Sequence, residues 1–188
     1  MILCDRLETL IQILILFNKM NIIITGPESS GKTTMANALS HHFNITLVEE
    51  YARKYISSLT KPYTRKDVEH IARKQIEETQ RYDNESVVFD TDLLTSIIWY
   101  EEKYGNVPPW MLDHYKAIRQ TFYLLFTPDI PWELDPQREN PQDRMRLFKQ
   151  YHNYLTAYDK EFFIIADEFD TRLENALKMV TIKLKGKH

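Results

Sequence analysis

The chain has 188 residues, 43% of them hydrophobic, and a formal net charge of −3. That length supports one domain with a sizeable core and is short for two, and the mild acidity supplies no broad basic field for nucleic acid. A single cysteine, Cys4, cannot close an internal disulfide, which fits a reducing cytoplasm, and no run nears the ~20 apolar residues that span a bilayer.

The first apolar run, Leu10-Ile11-Gln12-Ile13-Leu14-Ile15-Leu16-Phe17, has the bulk of a signal-peptide core. Asp5 and Glu8 beside Arg6 deny it a cationic start, and no small-residue cleavage site follows. Residues 1–19 therefore read as an appended extension or a start-site artefact, with Met20 opening the domain proper, 20–188. Asn21-Ile22-Ile23-Ile24-Thr25 is short, apolar and β-branched, the pattern of a buried strand. Beyond the glycine-bounded segment 26–33, apolar residues at Met35, Ala38, Leu39 and Phe43 recur at helical spacing.

Ile45-Thr46-Leu47-Val48 is a second strand, ending at Glu49-Glu50, and helices follow over 51–59 and 64–82. Ser86-Val87-Val88-Phe89 is the third strand, ending at Asp90-Thr91-Asp92. A helix over 93–104 stops at Gly105, and Pro108-Pro109 opens another that runs to 119. Phe122-Tyr123-Leu124-Leu125-Phe126 is the fourth strand. A proline-rich connection over 128–141 leads into a charged helix over 142–158, then the strand Phe162-Phe163-Ile164-Ile165 and a closing helix over 171–183. Alternation of this kind predicts an α/β domain of five parallel strands covered by helices. Ligands of such sheets lie beyond the carboxyl ends of the strands. That rule selects Glu49-Glu50, Asp90-Thr91-Asp92 and the segments 127–129 and 166–168.

Residues Gly26-Pro27-Glu28-Ser29-Ser30-Gly31-Lys32-Thr33 fit the phosphate-binding pattern G-x-x-x-x-G-K-[ST], between a strand and a helix as that motif requires. The two glycines let successive N–H groups point into one concavity, and the helix N-terminus adds its dipole. Gly26, Glu28, Ser29, Ser30, Gly31, Lys32, Thr33 and Thr34 are therefore candidates to hold ATP, with the Lys32 ammonium on the β/γ oxygens and the Thr33 hydroxyl on Mg²⁺.

Asp90, at the end of an apolar strand, suits a carboxylate that steadies Mg²⁺; a helix cap is the blander role, and Asp92 fits it better. Glu50 stands where a carboxylate could take the proton of an attacking hydroxyl, beside Tyr51, which can stack on a planar base, and Arg53, which can meet an anion. The stretch 128–158 reads as a lid, from which Arg138 first, then Arg144 and Arg146, could close over a triphosphate. Of the tryptophans, Trp99 beside Ile97 and Ile98 reads as core, and Trp132 is a candidate wall for the acceptor.

Together, the phosphate loop, Glu50-Tyr51-Ala52-Arg53, Asp90-Thr91-Asp92 and Pro128-Asp129-Ile130-Pro131-Trp132 with Asp135 and Arg138 resemble the ribosylnicotinamide kinase domain of NadR-type proteins. The resemblance covers about residues 20–183. It implies a P-loop kinase-like three-layer sandwich with a helical lid, acting as an ATP-dependent kinase on the 5′-hydroxyl of nicotinamide riboside to give nicotinamide mononucleotide. Carried over by position, Lys32 and Thr33 would bind phosphates and Mg²⁺, Asp90 would assist the metal, Glu50 and Asp92 would meet the ribosyl substrate, and Arg138 would come from the lid. Either Glu50 or Asp92 could be the base. The chain lacks the His-x-Gly-His signature of the adenylyltransferase domain in such proteins, and Pro136 stands where a lid glycine is expected. Two other functions share the loop: a kinase of another nucleoside or nucleotide, and a P-loop ATPase or GTPase acting on a partner. A GTPase would carry an Asn-Lys-x-Asp base-reading motif, which does not occur.

Overall fold

The computed structural model describes residues 19–82, 85–138 and 140–185, so the expectation for the N-terminal extension falls almost entirely outside the described residues. Five strands alternate with seven helices among them: β1 Asn21–Thr25, α1 Lys32–Phe43, β2 Thr46–Val48, α2 Tyr51–Ser58, α3 Arg65–Arg81, β3 Val87–Asp90, α4 Leu93–Tyr104, α5 Pro109–Ala117, β4 Thr121–Phe126, α6 Arg144–Ala157, β5 Phe162–Ile165 and α7 Phe169–Lys185. Each element expected from the sequence is present, with ends displaced by a residue or two.

The strands form one sheet in the order β2-β3-β1-β4-β5, and every neighbouring pair is parallel. β1 lies in the centre with all five residues buried, because an unbroken apolar run suits a strand covered on both faces. Its side chains alternate between two cores. Ile23 joins Phe89, Tyr123 and Leu125 against α4, α5 and α6, while Ile22 and Ile24 join Val88, Leu124 and Phe126 against α1 and α7. The product is the three-layer sandwich.

Local chemistry sets the helix ends nearest the site. Gly31, at φ 81°, precedes α1, and Asp92 caps α4 by accepting the Leu94 N–H at 3.1 Å. Thr64 and Asp67 form a capping box at the start of α3. The stretch read as a lid divides in two. Leu147, Tyr151 and Leu155 bury α6 in the core layer, so the irregular residues 127–138 and 140–143 are what cross the phosphate loop. No helix among the described residues is long and apolar enough to cross a membrane.

Candidate functional site

The cradle begins where β1 ends. Gly26 takes φ 131°, and a Cβ there would come within 2.6 Å of the Phe126 carbonyl oxygen, so β4 presses against this turn and only glycine fits. The Ser30 hydroxyl donates to the Pro27 carbonyl at 2.8 Å, which tightens the loop. Lys32 Nζ donates to the same carbonyl at 2.7 Å. Burial holds the Lys32 pKa below the usual lysine range, against the opposing pull of Glu50, Asp90 and Glu28.

Two carboxylates face this lysine from neighbouring strand ends. The parallel register of β1 and β3 sets Asp90 beside Ile24, one residue before the loop's approach. Burial raises the Asp90 pKa, opposed by a hydrogen bond from the Thr33 side chain, and its Oδ1 is buried without a hydrogen-bond partner. A buried oxygen left over in this way, next to a threonine hydroxyl, is the hard donor set that suits Mg²⁺. Glu50, in the cap position of α2, has its pKa raised by burial, with Lys32 opposing the shift.

A cavity of about 790 Å³ opens from the cradle. Gly26, Glu28, Ser29, Ser30, Gly31, Lys32, Thr33 and Thr34 line one end, with Glu50, Arg53 and Arg138 around them. Away from it the lining continues with Tyr63, Gln75, Ser96, Trp99, Glu102, Lys103 and Tyr151. There the Trp99 indole N–H donates to the Tyr63 hydroxyl at 3.1 Å, and the Ser96 hydroxyl donates to Gln75 Oε1 at 2.5 Å. Trp99 packs against the core, as its neighbours suggested, and being half-buried it also lines the cavity. The spacing Ser96, Trp99, Lys103 marks one helix face and was the available signal; Tyr63 and Gln75 had none, since they arrive from another loop and helix.

Asp92, Tyr51, Trp132 and Arg144 lie away from the cavity lining. Asp92, 2% exposed, gives Oδ1 to its own helix cap and accepts the Tyr123 hydroxyl on Oδ2 at 2.8 Å. Burial pushes its pKa up to about 6, with the Tyr123 bond opposing. Thr91, at φ 73°, lines the cavity instead and turns Asp92 into the core. Tyr51 leans outward, its hydroxyl 3.0 Å from His70 Nε2. Trp132 lies under the Arg144 guanidinium at 5.7 Å, and Arg144 donates to the carbonyls of Ser29 and Ile130 at 3.1 and 3.0 Å. Arg138 donates to Ser29 Oγ at 3.2 Å and remains on the cavity wall.

A phosphate cradle between strand and helix, crossed by an arginine-bearing loop on a β2-β3-β1-β4-β5 sheet, defines a P-loop domain with the kinase architecture. The AAA domain model matches residues 21–172, and the chain belongs to that family. It is 27% identical over 171 residues to the trifunctional NAD biosynthesis/regulator protein NadR of Escherichia coli K12, covering 85% of this chain and 41% of the relative. The chain therefore spans about two fifths of that protein's length. A crystal structure of NadR protein in complex with NR superposes with TM-score 0.74 at 19% identity, covering 92% of this chain and 52% of the other. Thymidylate kinase from Ehrlichia chaffeensis gives 0.62 at 13% identity, covering 86% and 98%. The chain is a NadR-like P-loop domain.

Proposed function

We propose that the chain is an ATP-dependent kinase that phosphorylates the 5′-hydroxyl of nicotinamide riboside, giving nicotinamide mononucleotide and ADP. The observation that carries the reading is that the phosphate cradle, Lys32 and Glu50 share one cavity with a wall of rings, an amide and a hydroxyl, Tyr63, Trp99, Gln75 and Ser96, beside the charged residues Glu102 and Lys103. A flat ring can stack on an aromatic wall of this kind, where Tyr63 and Trp99 already meet edge to face at 4.8 Å. The likeness to NadR in complex with NR supports the same acceptor.

The γ-phosphate would be turned toward that acceptor by the cradle amides and by Lys32, whose ammonium would exchange the Pro27 carbonyl for phosphate oxygens. Glu50 would take the hydroxyl proton as the sugar oxygen bonds to the γ-phosphorus and the bond to the β-phosphate breaks. Arg138 would meet the charge spread over the transferring group, and residues 127–138 would keep water out. Mg²⁺, held by the Thr33 hydroxyl and Asp90, would supply neutralisation of the β and γ oxygens. Asp92 has both oxygens engaged away from the cavity, so Glu50 is the base in this reading.

Incubation with ATP, Mg²⁺ and a panel of nucleosides and nucleotides, read by mass detection of phosphorylated products, tests the proposal. Nicotinamide riboside should be consumed faster than ATP is hydrolysed alone; hydrolysis without any phosphorylated acceptor would end the kinase reading. Preferential phosphorylation of another nucleoside or of a nucleotide would favour the second reading, which the likeness to thymidylate kinase supports.

A further inference from the structure

Arg172 lies in the first turn of α7, is 2% exposed, and does not line the cavity. Removing a guanidinium from water is costly unless its donors are satisfied. Here they are spent on three separate segments. Nε donates to the Asp167 carbonyl at 2.5 Å, Nη1 to the Ser30 carbonyl at 2.8 Å, and Nη2 to the Thr127 carbonyl at 3.1 Å, with Asp129 as the ion-pair partner. Asp129 in turn accepts the Asp167 N–H at 2.9 Å. Ser30 belongs to the cradle, whereas Thr127 and Asp129 are the first residues of the crossing segment after β4.

The bond to Ser30 has a directional consequence. A trans peptide is planar, so the Ser30 C=O and the Gly31 N–H point to opposite sides. With the oxygen drawn back toward α7, the Gly31 N–H is turned toward the cavity. A peptide that precedes glycine flips readily, because glycine tolerates either sign of φ. Gly31 stands at φ 81°. An external bond is what selects the orientation.

We propose that Arg172 is a positioning residue that sets the phosphate cradle from behind and ties it to the root of the lid, so that a nucleotide's phosphates meet a peptide already turned toward them. The inference rests on the nucleotide-binding part of the function proposed above. It is tested by calorimetry with ATP, inorganic tripolyphosphate and nicotinamide riboside on two variants, each checked for an unchanged circular dichroism spectrum. Arg172→Met is combined with Asp129→Asn, which removes the carboxylate that would otherwise lose its partner; Arg172→Lys is made alone.

The expected result for the double variant is a loss of about ten- to a hundredfold in affinity for ATP and tripolyphosphate. Binding of the riboside should change by less than about twofold. Lysine, which lacks the planar fork, should restore part of the loss. Equal losses for all three ligands would show a merely structural role and overturn the inference, as would tripolyphosphate affinity that stays at the wild-type value in either folded variant. If the double variant does not fold, the lysine variant carries the same comparison. Wild-type protein that binds neither ATP nor tripolyphosphate would remove the nucleotide reading along with it.

Discussion

Glu50 has a carboxyl whose pKa burial raises and Lys32 opposes. A base must be ionised to accept a proton, so kcat/KM should climb with pH through a limb set above the ~4.3 of an ordinary glutamate and then level off. Glu50→Gln should lower kcat by about 10²- to 10⁴-fold with little change in ATP affinity, and should flatten the part of that limb not owed to Asp90, whose pKa is raised as well. A variant with near wild-type kcat would show that Glu50 is not the base. At this scale the sequence located Glu50 and Asp90 through a simple rule, the carboxylate at the end of a parallel strand. It left Asp92 level with Glu50 because the φ of Thr91, 73°, decides which side chain faces the cavity, and nothing in Asp-Thr-Asp announces that φ.

The helix that Asp92 caps carries a pH signature of its own. Its carboxyl is raised from 3.8 to about 6, so between these values the folded chain holds a proton that the unfolded chain has released. Stability from this group is therefore greatest below pH ~4 and is lost as pH rises through ~6, a change of about 3 kcal/mol if the group acts alone. Asp92→Asn keeps an oxygen for the Leu94 N–H and removes the titration. The wild-type melting temperature should fall relative to that of the variant as pH goes from 4 to 7; parallel curves would contradict the assigned burial. The elements themselves were legible because β1, β3 and β4 are apolar, β-branched or aromatic runs covered on both faces. The inner wall was not, since Tyr63, Gln75, Trp99 and Tyr151 come from four different segments and meet only when α3, α4 and α6 pack.

Across the whole molecule, the crossing segment is pinned to both sides of the cavity. Arg53 of α2 pairs with Asp135 at 2.7 Å, Gln137 Nε2 donates to the Arg53 carbonyl and to Ser57 Oγ at 3.3 and 2.7 Å, and the Asn140 N–H donates to Glu28 at 3.1 Å. These contacts join residues 80 to 112 positions apart, beyond the reach of any local pattern. This explains why arginines expected to aim at a triphosphate could be identified while the loop-holding role of Arg144 could not. With Arg53 45% exposed, Asp135→Ala should cost less than about 1 kcal/mol of stability. It should still raise KM several-fold, because the latch across the cavity is lost; an unchanged KM would mean that the pair contributes nothing to closure. Ser29 concentrates the same arrangement in one residue. It holds φ 53°, a left-handed conformation that costs a serine about 1 kcal/mol. Its hydroxyl oxygen accepts the Glu133 N–H at 2.9 Å as well as Arg138. Glycine there would relieve about 1 kcal/mol of backbone strain but delete the hydroxyl that meets Glu133, Arg138 and the Pro131 carbonyl, leaving a roof poorly fastened. On the kinase function proposed above, such a variant would lose more ATP to water, and its ratio of futile hydrolysis to productive transfer would rise.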